Sequence, residues 1–382
     1  GIPLRPSDLA WERFLAEDGA FEPVPCLPNS HVNILFSSGT TGTQKAIPWT
    51  HLTEIKPEMD GHFHHDIQPG DVVDWPTNLG WMMGPWLIYA SLLYGAAIAL
   101  FDDAPTTRGF VESVEAAGVT MLGLVPSIVS TWRSTDALRE GDWSTVRVMS
   151  STGEASNPDD YSWLMEVAGG VPVIEYCGGT EIGGGYITGT VLHPAHAGCF
   201  TTPALGLDLR IIDEEGLEAD EGEVFLVPPS MGLSTELINR DHHEVYFSSL
   251  PDADVPLRRH GDHMERLPNG MIRARGRVDD TMNLGGIKTS SAEVEDVVVG
   301  VPGVREAAAV GIPPDDGGPE RLVVFAVVDS EHVPVDVGEA MQQAIRERLN
   351  PLFRIHDVVV VESLPRTASH KVMRRELRAR YP

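Results

Sequence analysis

The segments VRVMSSTGE (residues 146–154) and VPVIEYCGGTE (residues 171–181) decide the fold class of this chain. Each begins with a short apolar run rich in β-branched residues and ends in a small, glycine-containing stretch that closes on a carboxylate. Similar runs alternate with helical stretches, the runs at 96–101 and 120–124 and the helices near 109–117, 127–134 and 158–168. This alternation predicts a mostly parallel sheet covered by helices, with ligands bound beyond the carboxyl ends of the strands.

The pattern changes after about residue 190, where short strands separated by turns predict a β-rich subdomain up to about residue 275. Beyond it, a helix from about Ser291 and further strands and a helix predict a small α+β module, with strands at 306–312, 321–328 and 357–361 and the helix at 336–349. We therefore expect an α/β chain of two domains, residues 1–278 and 279–382, with the boundary at Asp279.

Composition excludes some partners. The 382 residues carry 56 acidic and 28 basic side chains, a formal net charge of −28, which argues against nucleic acid or an anionic membrane as a partner. Four of the basic residues are lysines: Lys45, Lys56, Lys288 and Lys371. An acidic, lysine-poor surface is typical of a salt-rich cytosol, where screening suppresses repulsion between carboxylates, so we expect a halophilic source.

The cysteine content and an uncharged apolar segment give two further expectations. Three widely spaced cysteines (Cys26, Cys177 and Cys199) form neither a disulfide framework nor a zinc pattern, which favours a reducing cytoplasm. The uncharged residues 79–101 are interrupted by glycine and proline, so they predict a buried helix at 86–94 and a strand instead of a membrane span.

The strongest local signal is the segment ILFSSGTTGTQK, residues 34–45, in which a strand runs into a loop that ends at Lys45. Glycines let backbone N–H groups turn toward a phosphate, hydroxyls add donors, and the lysine adds positive charge. It is not a Walker loop, because that motif needs Gly-Lys-Ser/Thr together. The segment indicates a phosphate site, with a flexible surface turn as the alternative.

This loop resembles the phosphate loop of the adenylate-forming superfamily, which includes acyl-CoA synthetases, luciferases and the adenylation domains of peptide synthetases. Five further blocks follow in that family's order: Gly153-Glu154, 176–181, Gly261-Asp262, 276–280 with Gly285-Gly286, and 365–375. Residues 239–243, 277–288 and 367–369 look closest to plant-type peroxisomal acyl-activating enzymes and, more distantly, to acetyl- and acetoacetyl-CoA synthetases.

The resemblance implies a two-step reaction. A carboxylate attacks the α-phosphate of ATP to give an acyl-adenylate and pyrophosphate, and the thiol of coenzyme A then displaces AMP. The implied partners are a small carboxylic acid, ATP, Mg²⁺ and coenzyme A. Within this reaction Lys371, on a mobile C-terminal domain, would bridge the attacking carboxylate and the phosphorus centre and stabilise the developing charge.

The resemblance also implies the binding residues. The ATP phosphates would be held by Ser37, Ser38, Gly39, Thr40, Thr41, Gly42 and Lys45, with Thr180 at the α-phosphate and Glu181 on Mg²⁺. The rest of the nucleotide would lie against Gly153, Glu154, Glu175, Tyr176, Cys177, Gly178, Gly179, Asp262 and Arg277. In this arrangement Gly153-Glu154 and Glu175-Tyr176 bracket the adenine, and Asp262 accepts from the ribose hydroxyls.

Further family positions concern coenzyme A and domain motion. Asp279 matches the hinge about which the C-terminal domain rotates, and Gly286 matches the glycine beside the pantetheine tunnel. Lys288 falls within the same motif and is grouped with the cofactor-binding residues. Arg346 aligns with a position near the coenzyme A phosphate, although an arginine on a helix is more often part of a solvated face.

The expected length of the acid in the acyl pocket rests on one glycine. Gly178 stands where acetyl-activating members have a tryptophan that closes the pocket, so we expect an acid longer than acetate and a place in fatty acid metabolism. Trp81 and Met82 would form an apolar wall, although ordinary core packing explains them almost as well. The His62–His65 cluster lacks nearby acidic or cysteine partners with a clear metal-binding geometry, so we expect a solvated loop there instead of a metal site.

The phosphate loop begins at residue 37, whereas family members carry a substantial segment upstream of it, so the chain is expected to be N-terminally short. Three alternatives stay open: an acyl-CoA synthetase, an adenylating ligase that loads a carrier protein, and an inactive truncated nucleotide-binding module. Retention of Asp262, Arg277 and Lys371 favours an enzyme, and Gly286 favours coenzyme A. A partner chain or a second copy could compensate for the short N-terminus.

The charge imbalance gives a prediction about salt. The thermal unfolding midpoint should rise between dilute buffer and molar KCl, because a Debye length of about 3 Å at 1 M salt screens the repulsion among the carboxylates. Circular dichroism melts in a KCl series would measure it. A midpoint that is no higher in molar KCl than in dilute buffer would contradict the halophilic assignment.

Overall fold

The computed structural model describes the chain except for residues 1–4, 6, 15–18, 20–21, 38–43, 139–140, 155, 285–286, 314–319, 330–333, 335, 367–371 and 382. The side chains of residues 11, 12, 279 and 288 are likewise outside the description. The helices of the described part are α1 (Trp11–Phe14), α2 (His51–His65), α3 (Met83–Leu92), α4 (Arg108–Ala117), α5 (Pro126–Thr135), α6 (Pro158–Val167), α7 (His242–Phe247), α8 (Ser291–Val299), α9 (Val337–Arg348) and α10 (Arg374–Arg380).

The strands are β1 (His31–Phe36), β2 (Ala46–Thr50), β3 (Val72–Asp74), β4 (Ala97–Ile98), β5 (Met121–Leu124), β6 (Val148–Ser151), β7 (Val173–Gly179), β8 (Gly184–Thr188), β9 (Thr202–Pro203), β10 (Asp208–Ile212), β11 (Glu221–Val227), β12 (Arg258–Arg266), β13 (Ile272–Arg277), β14 (Thr281–Leu284), β15 (Ile287–Ser290), β16 (Val304–Ile312), β17 (Arg321–Val328) and β18 (Ile355–Val360).

The central sheet has the strand order β4-β3-β5-β6-β7-β8-β9. Its first five strands are parallel, and β8 and β9 are antiparallel to their neighbours. Helices α4, α5 and α6 lie between successive strands along the chain and agree with the predicted helices within two residues at each end. The predicted parallel, helix-covered sheet is therefore confirmed, and the loops after β6 and β7 emerge at its carboxyl edge.

The apolar stretch at 79–101 forms helix α3 and the short strand β4, as its interruptions predict. Trp86 of α3 is fully buried, in a cluster with Trp75, Ile174 and Tyr176. Within the described ranges, no helix combines the length and the hydropathy that a bilayer crossing needs.

The second half of the chain contains the two smaller units that its sequence predicts. Strands β10 to β13 form an antiparallel sheet in sequence order, and β16, β17 and β18 form a separate sheet that packs with α8 and α9. The apolar clusters around that second sheet contain no described residue before Met282, whereas the other clusters end at Ala274. The boundary at Asp279, which lies in a 3₁₀ turn at Val278–Asp280, stays a prediction.

Helix α2 is the main element that the sequence did not predict. It begins with a capping box, in which Thr50 and Thr53 bond each other's backbone N–H groups, and it continues through Pro57. The expected solvated loop at His62–His65 is wrong, because these residues form the last turn of α2. His64 accepts from the Leu205 backbone N–H at 3.1 Å, and burial lowers the pKa of His65 to about 4.

A buried ion pair joins α2 to the central sheet. Lys56 and Asp60 stand one turn apart, with 1% of each side chain exposed, and the Lys56 ammonium donates to Asp60. The second oxygen of Asp60 accepts from the Tyr176 hydroxyl at 2.6 Å and from the Gly185 backbone N–H at 2.8 Å. A Cβ added at Gly184 would lie 2.5 Å from that oxygen, so glycine is required for α2 to lie this close to β8.

The ion pair predicts a large difference between two chemically similar substitutions. Lys56→Met keeps most of the side-chain volume but leaves the Asp60 charge buried and uncompensated, so it should cost about 3–5 kcal/mol of unfolding free energy. The matched control is Arg108→Met, because Arg108 pairs with Glu112 at the same spacing on the surface and should cost only about 0–1 kcal/mol. Urea unfolding measures both. Equal losses of unfolding free energy in the two variants would show that the buried pair stabilises the fold no more than the surface pair does.

Candidate active site

The turn between β7 and β8 carries Thr180 and Glu181 and is fixed through its backbone. The Trp49 indole N–H donates to the Thr180 carbonyl oxygen at 2.8 Å, and the Ser234 backbone N–H donates to the Glu181 carbonyl oxygen at 2.8 Å. Ile182 bonds back to the Gly179 carbonyl and closes the turn. The Glu181 carboxylate therefore projects from a rigid support at the carboxyl edge of the sheet.

Positive charges surround the Glu181 carboxylate. Lys45 Nζ lies 3.5 Å from Glu181 Oε1, with 21% and 12% of the two side chains exposed. Burial opposes ionisation of Glu181, but the charges of Lys45, His260 and Arg258 outweigh it and lower the pKa of Glu181 to about 2. Glu181 is therefore an anion at neutral pH.

The ends of the predicted phosphate loop meet next to this carboxylate. Ser37 N–H donates to the Lys45 carbonyl at 3.0 Å, and Lys45 N–H donates to Ser37 Oγ at 3.2 Å. These two bonds close the loop at its base and place Lys45 beside Glu181. The loop residues Ser38, Gly39, Thr40, Thr41 and Gly42 lie outside the described residues.

Two residues that the sequence analysis missed complete this part of the site. The Tyr246 ring has the Lys45 ammonium 4.9 Å from its centroid and the Arg258 guanidinium 4.1 Å from it, and its electron-rich faces attract both cations. Arg258 is buried and donates to Ser234 Oγ at 2.8 Å. The every-second-residue spacing of Arg258, His260 and Asp262 along β12 could have pointed to this cluster.

Asp262 is the second carboxylate of the site. It accepts from Arg277 Nη1 at 2.8 Å and from the Tyr186 hydroxyl at 2.7 Å, and His260 Nε2 lies 3.1 Å away. Burial opposes its ionisation, but His260 and Arg277 hold the pKa of Asp262 well below its usual range. Gly261 has a φ of +90°, and a Cβ there would lie 2.8 Å from the Arg277 guanidinium. His260 contacts Asp262 and also lowers the pKa of Glu181 through its charge.

A cleft of about 80 Å³ lies between the loop after β6, strand β7 and the segment before β9 on one side and β13 and α8 on the other. Its walls include Glu154, Ser156, Glu175, Phe200, Arg275 and Asp296. Burial raises the pKa of Glu175 to about 7, in spite of hydrogen bonds from the Ser156 hydroxyl and the Gly198 backbone. Two of the expected adenine residues, Glu154 and Glu175, therefore do face one cleft.

The position of the Tyr176 side chain differs from the expected one. Its side chain is 1% exposed, donates to Asp60 and accepts from the Trp86 indole N–H at 2.9 Å. It lies in the core between α2 and α3, so the expectation that this side chain brackets adenine is wrong. Gly153, in the other half of that expectation, has a φ of +104°, and a Cβ there would lie 3.7 Å from the Trp81 ring.

The close approach of two strands explains why position 178, which was expected to open the acyl pocket, is a glycine. A Cβ added at Gly178 would lie 2.0 Å from the Gly184 carbonyl oxygen, because β7 and β8 approach each other closely there. The space beside Gly178 is therefore occupied by backbone in this structure. Met82 is buried, and Trp81 packs partly buried against the core cluster of Val125 and Met149. The pocket length stays a prediction.

Of the remaining predicted residues, Cys177 and Gly179 lie beside the two carboxylates of the site. Cys177 lies with its sulfur 3.5 Å from Asp262 Oδ2, and a Cβ at Gly179 would lie 3.0 Å from Glu181 Oε2. Arg346 is exposed on α9, and Lys288 falls in β15. Gly286 and Lys371 lie outside the described residues.

The site offers one carboxylate for a divalent cation. Among the described residues, no group of three or more His, Cys, Asp or Glu side chains is suited to hold a metal ion. Mg²⁺ in nucleotide sites is commonly bound by one or two carboxylates together with phosphate oxygens and waters. The ionised Glu181 fits that role, with the phosphates supplying further ligands.

An α/β domain with a glycine- and hydroxyl-rich segment before β2, two ionised carboxylates and a small C-terminal unit is what the sequence motifs predict for a nucleotide-binding protein. Residues 4–232 match the AMP-binding enzyme family, and residues 293–371 match the AMP-binding enzyme C-terminal domain. The chain therefore belongs to the AMP-binding enzyme family, as its motifs predict.

Similar proteins agree with this assignment. Hexanoyl-CoA synthase of Cannabis sativa is 48% identical and matches 100% of this chain and 55% of its own length. Probable acyl-activating enzyme 17, peroxisomal, of Arabidopsis thaliana is 48% identical, with 99% and 54% covered. The chain thus spans about half the length of the curated relatives it matches. Acetoacetyl-CoA synthetase from Streptomyces lividans superimposes with a TM-score of 0.83 at 27% identity, covering 97% of this chain and 58% of its own.

The raised pKa of Glu175 predicts a pH-dependent difference in stability. Because the folded chain holds this proton up to about pH 7 and the unfolded chain only to about 4.5, Glu175 makes folding less favourable as pH rises through that window. Glu175→Gln cannot ionise, so its stability relative to wild type should increase by roughly 3 kcal/mol between pH 4 and pH 8. Denaturant unfolding at the two pH values measures this change, and exposed Glu166→Gln on α6 is the control. If the stability of Glu166→Gln relative to wild type rises with pH as much as that of Glu175→Gln does, the prediction is contradicted.

Proposed function

We propose that this protein activates a carboxylic acid with ATP through an acyl-adenylate and then transfers the acyl group to coenzyme A. The observation that carries the proposal is the convergence of Lys45, Glu181, Asp262 and Arg277 at the carboxyl edge of the sheet. Each stands in a separate family motif, and an ATP-binding site needs their charges in one place. The names of the similar proteins support an acyl-CoA synthetase.

In this proposal the ion pairs of the site exchange partners when ATP binds. Lys45 moves from Glu181 to the phosphates, together with Ser37, Ser38, Gly39, Thr40, Thr41 and Gly42. Glu181 would then be available to hold Mg²⁺, which would supply positive charge for the leaving pyrophosphate. Beside Lys45, Glu181 has a pKa of about 2, so it enters the exchange as an anion at neutral pH.

The nucleotide would be held by both carboxylates of the cluster and by the cleft. Asp262, kept ionised by its cationic neighbours, accepts from the two ribose hydroxyls, and Arg277 donates to the ribose or a phosphate. Glu154 and Glu175 accept from the adenine amino group. Thr180 donates to the α-phosphate, and Lys371 stabilises the negative charge that develops as the acid attacks.

The second step involves the C-terminal domain, residues 279–382. Its rotation about Asp279 brings Gly286, Lys288 and Arg346 to the coenzyme A, so one site serves two reactions in turn. A carrier protein in place of coenzyme A is the alternative acceptor. The names hexanoyl-CoA synthase and acetyl-coenzyme A synthetase, carried by similar proteins, favour coenzyme A.

The acid is proposed to be longer than acetate. The similar protein at 48% identity is named for hexanoate, whereas acetyl-coenzyme A synthetases are 29% to 31% identical. Trp81 and Met82 give the pocket an apolar wall. The acidic, lysine-poor composition supports a halophilic source, and an acid longer than acetate supports a place in fatty acid metabolism. The cysteine content supports a cytoplasmic location, whereas two similar proteins are named as peroxisomal.

The experiment is an assay of pyrophosphate release and thioester formation with straight-chain acids from acetate to octanoate. We expect pyrophosphate release to depend on the acid and to be faster with hexanoate than with acetate, and thioester to form only when coenzyme A is added. Lys371→Ala should lower acid-dependent release by about 10²–10³-fold while ATP still binds, since it removes charge stabilisation of the transition state.

The control is Arg375→Ala, which removes a neighbouring exposed cation on α10 and should leave release within about twofold of wild type, as isolated surface charges contribute little. Release from wild type with no acid in the panel would reject the proposed function. Unchanged release in Lys371→Ala would reject the role of this lysine.

A further inference from the structure

The Lys45 ammonium has two described contacts that differ in kind. Its Nζ lies 3.5 Å from Glu181 Oε1 and 4.9 Å from the centroid of the Tyr246 ring. The first contact is with a carboxylate that Mg²⁺ can also bind, whereas the second is with a neutral ring whose electron-rich face attracts a cation. Mg²⁺ therefore competes with the first contact but not with the second.

The backbone on both sides of Lys45 is held by one amide side chain. Asn239 Oδ1 accepts from the Ala46 backbone N–H at 2.8 Å, and Asn239 Nδ2 donates to the Gln44 carbonyl oxygen at 2.8 Å. The segment that carries Asn239 thus fixes where the Lys45 side chain begins. Tyr246, on helix α7 a little further along the same segment, contacts the end of that side chain.

The Tyr246 ring is itself fixed by its surroundings. It is 3% exposed and belongs to the apolar cluster that contains Trp49. The His242 ring lies 5.0 Å from it, with 61° between the ring planes, and His242 Nε2 lies 2.8 Å from the Ser234 carbonyl oxygen. A ring packed in this way presents the same face to Lys45 with and without a ligand.

We infer that Tyr246 is a positioning residue, whose ring keeps the Lys45 ammonium at the phosphate site when Glu181 exchanges this lysine for Mg²⁺. Without the ring, the long Lys45 side chain would be free to move, and ATP would have to order it on binding. A carboxylate at position 246 would attract Lys45 but would also repel the phosphates. The effect on ATP binding rests on the proposed function, whereas the contact between Tyr246 and Lys45 does not.

The binding test changes the charge distribution of the ring and nearly preserves its shape. Starting from Tyr246→Phe, phenylalanines with one, two or three ring fluorines are placed at position 246, because each fluorine withdraws electrons from the ring face and weakens its attraction for a cation. Isothermal titration calorimetry with Mg²⁺ present measures the Kd of ATP and of AMP. We expect the Kd of ATP to rise stepwise, by about three- to tenfold over the series. The Kd of AMP should stay within about twofold, because AMP lacks the phosphates that Lys45 is proposed to contact.

Two controls separate positioning from packing. Phe110 is fully buried against Trp132 in another apolar cluster, so the same fluorines there should leave the Kd of ATP unchanged. In a Lys45→Met background, the series at position 246 should no longer change the Kd of ATP, since the ammonium that contacts the ring is absent. A fluorine effect that persists in Lys45→Met would show that the ring acts through Arg258 or through packing, and it would overturn the inference.

A nuclear magnetic resonance measurement tests the contact without any nucleotide. The chain has four lysines, so lysine labelled with ¹³C at Cε gives few signals, and the Lys45 signal is the one that Lys45→Met removes. Protons above the face of an aromatic ring are shielded. The Lys45 Cε protons should therefore move downfield in Tyr246→Leu and stay in place in Tyr246→Phe, and the unchanged signal of buried Lys56 would show that the fold is retained. An unmoved Lys45 signal in Tyr246→Leu would refute the contact.

The two measurements separate the inference from the proposed function. If wild type binds ATP but the fluorine series leaves its Kd unchanged, the inference fails and the function stands. If wild type binds no ATP and the Lys45 signal still moves in Tyr246→Leu, the proposed function fails and the contact that positions Lys45 stands.

Discussion

The buried Lys56–Asp60 pair is the interaction on which the rest of the site depends. Its carboxylate accepts hydrogen bonds from Tyr176 on β7 and from the Gly185 backbone on β8, the two strands that flank the turn with Glu181. A charge removed from water at this depth is tolerated only when every partner is in place. The pair therefore fixes α2 and the β7–β8 hairpin together, and it requires glycine where they touch.

A second constraint is local charge compensation in a chain of net charge −28. Glu181 and Asp262 stay ionised although only 12% and 14% of their side chains are exposed, because Lys45, His260, Arg258 and Arg277 lie around them. The Tyr246 ring lies against two of these cations. A polyphosphate approaching the site would meet cations that are already held in position, so the overall charge of the protein does not prevent anion binding there.

Much of the fold was predictable, because its signals are local. The βα alternation located α4, α5 and α6 closely, and turn-separated runs located the antiparallel sheet. Helix α2 was missed because its polar residues, His64, Lys56 and Asp60, are buried by partners distant in sequence. The direction of Tyr176 could have been predicted: neighbours on a strand face opposite sides, so Glu175 and Tyr176 cannot both face one ligand.

The sequence by itself determined the family, the order of the elements and the residues available for chemistry, since spacing along the chain carries that information. Only the tertiary structure decided which of them meet. It brought Lys45 to Glu181 across 136 positions and Arg366 to Glu154 across 212. It also showed that Lys56, the lysine outside every sequence motif, is buried in the core and paired with Asp60. Such pairings form when strand packing brings together charged residues that are distant in sequence, and no short motif encodes this packing.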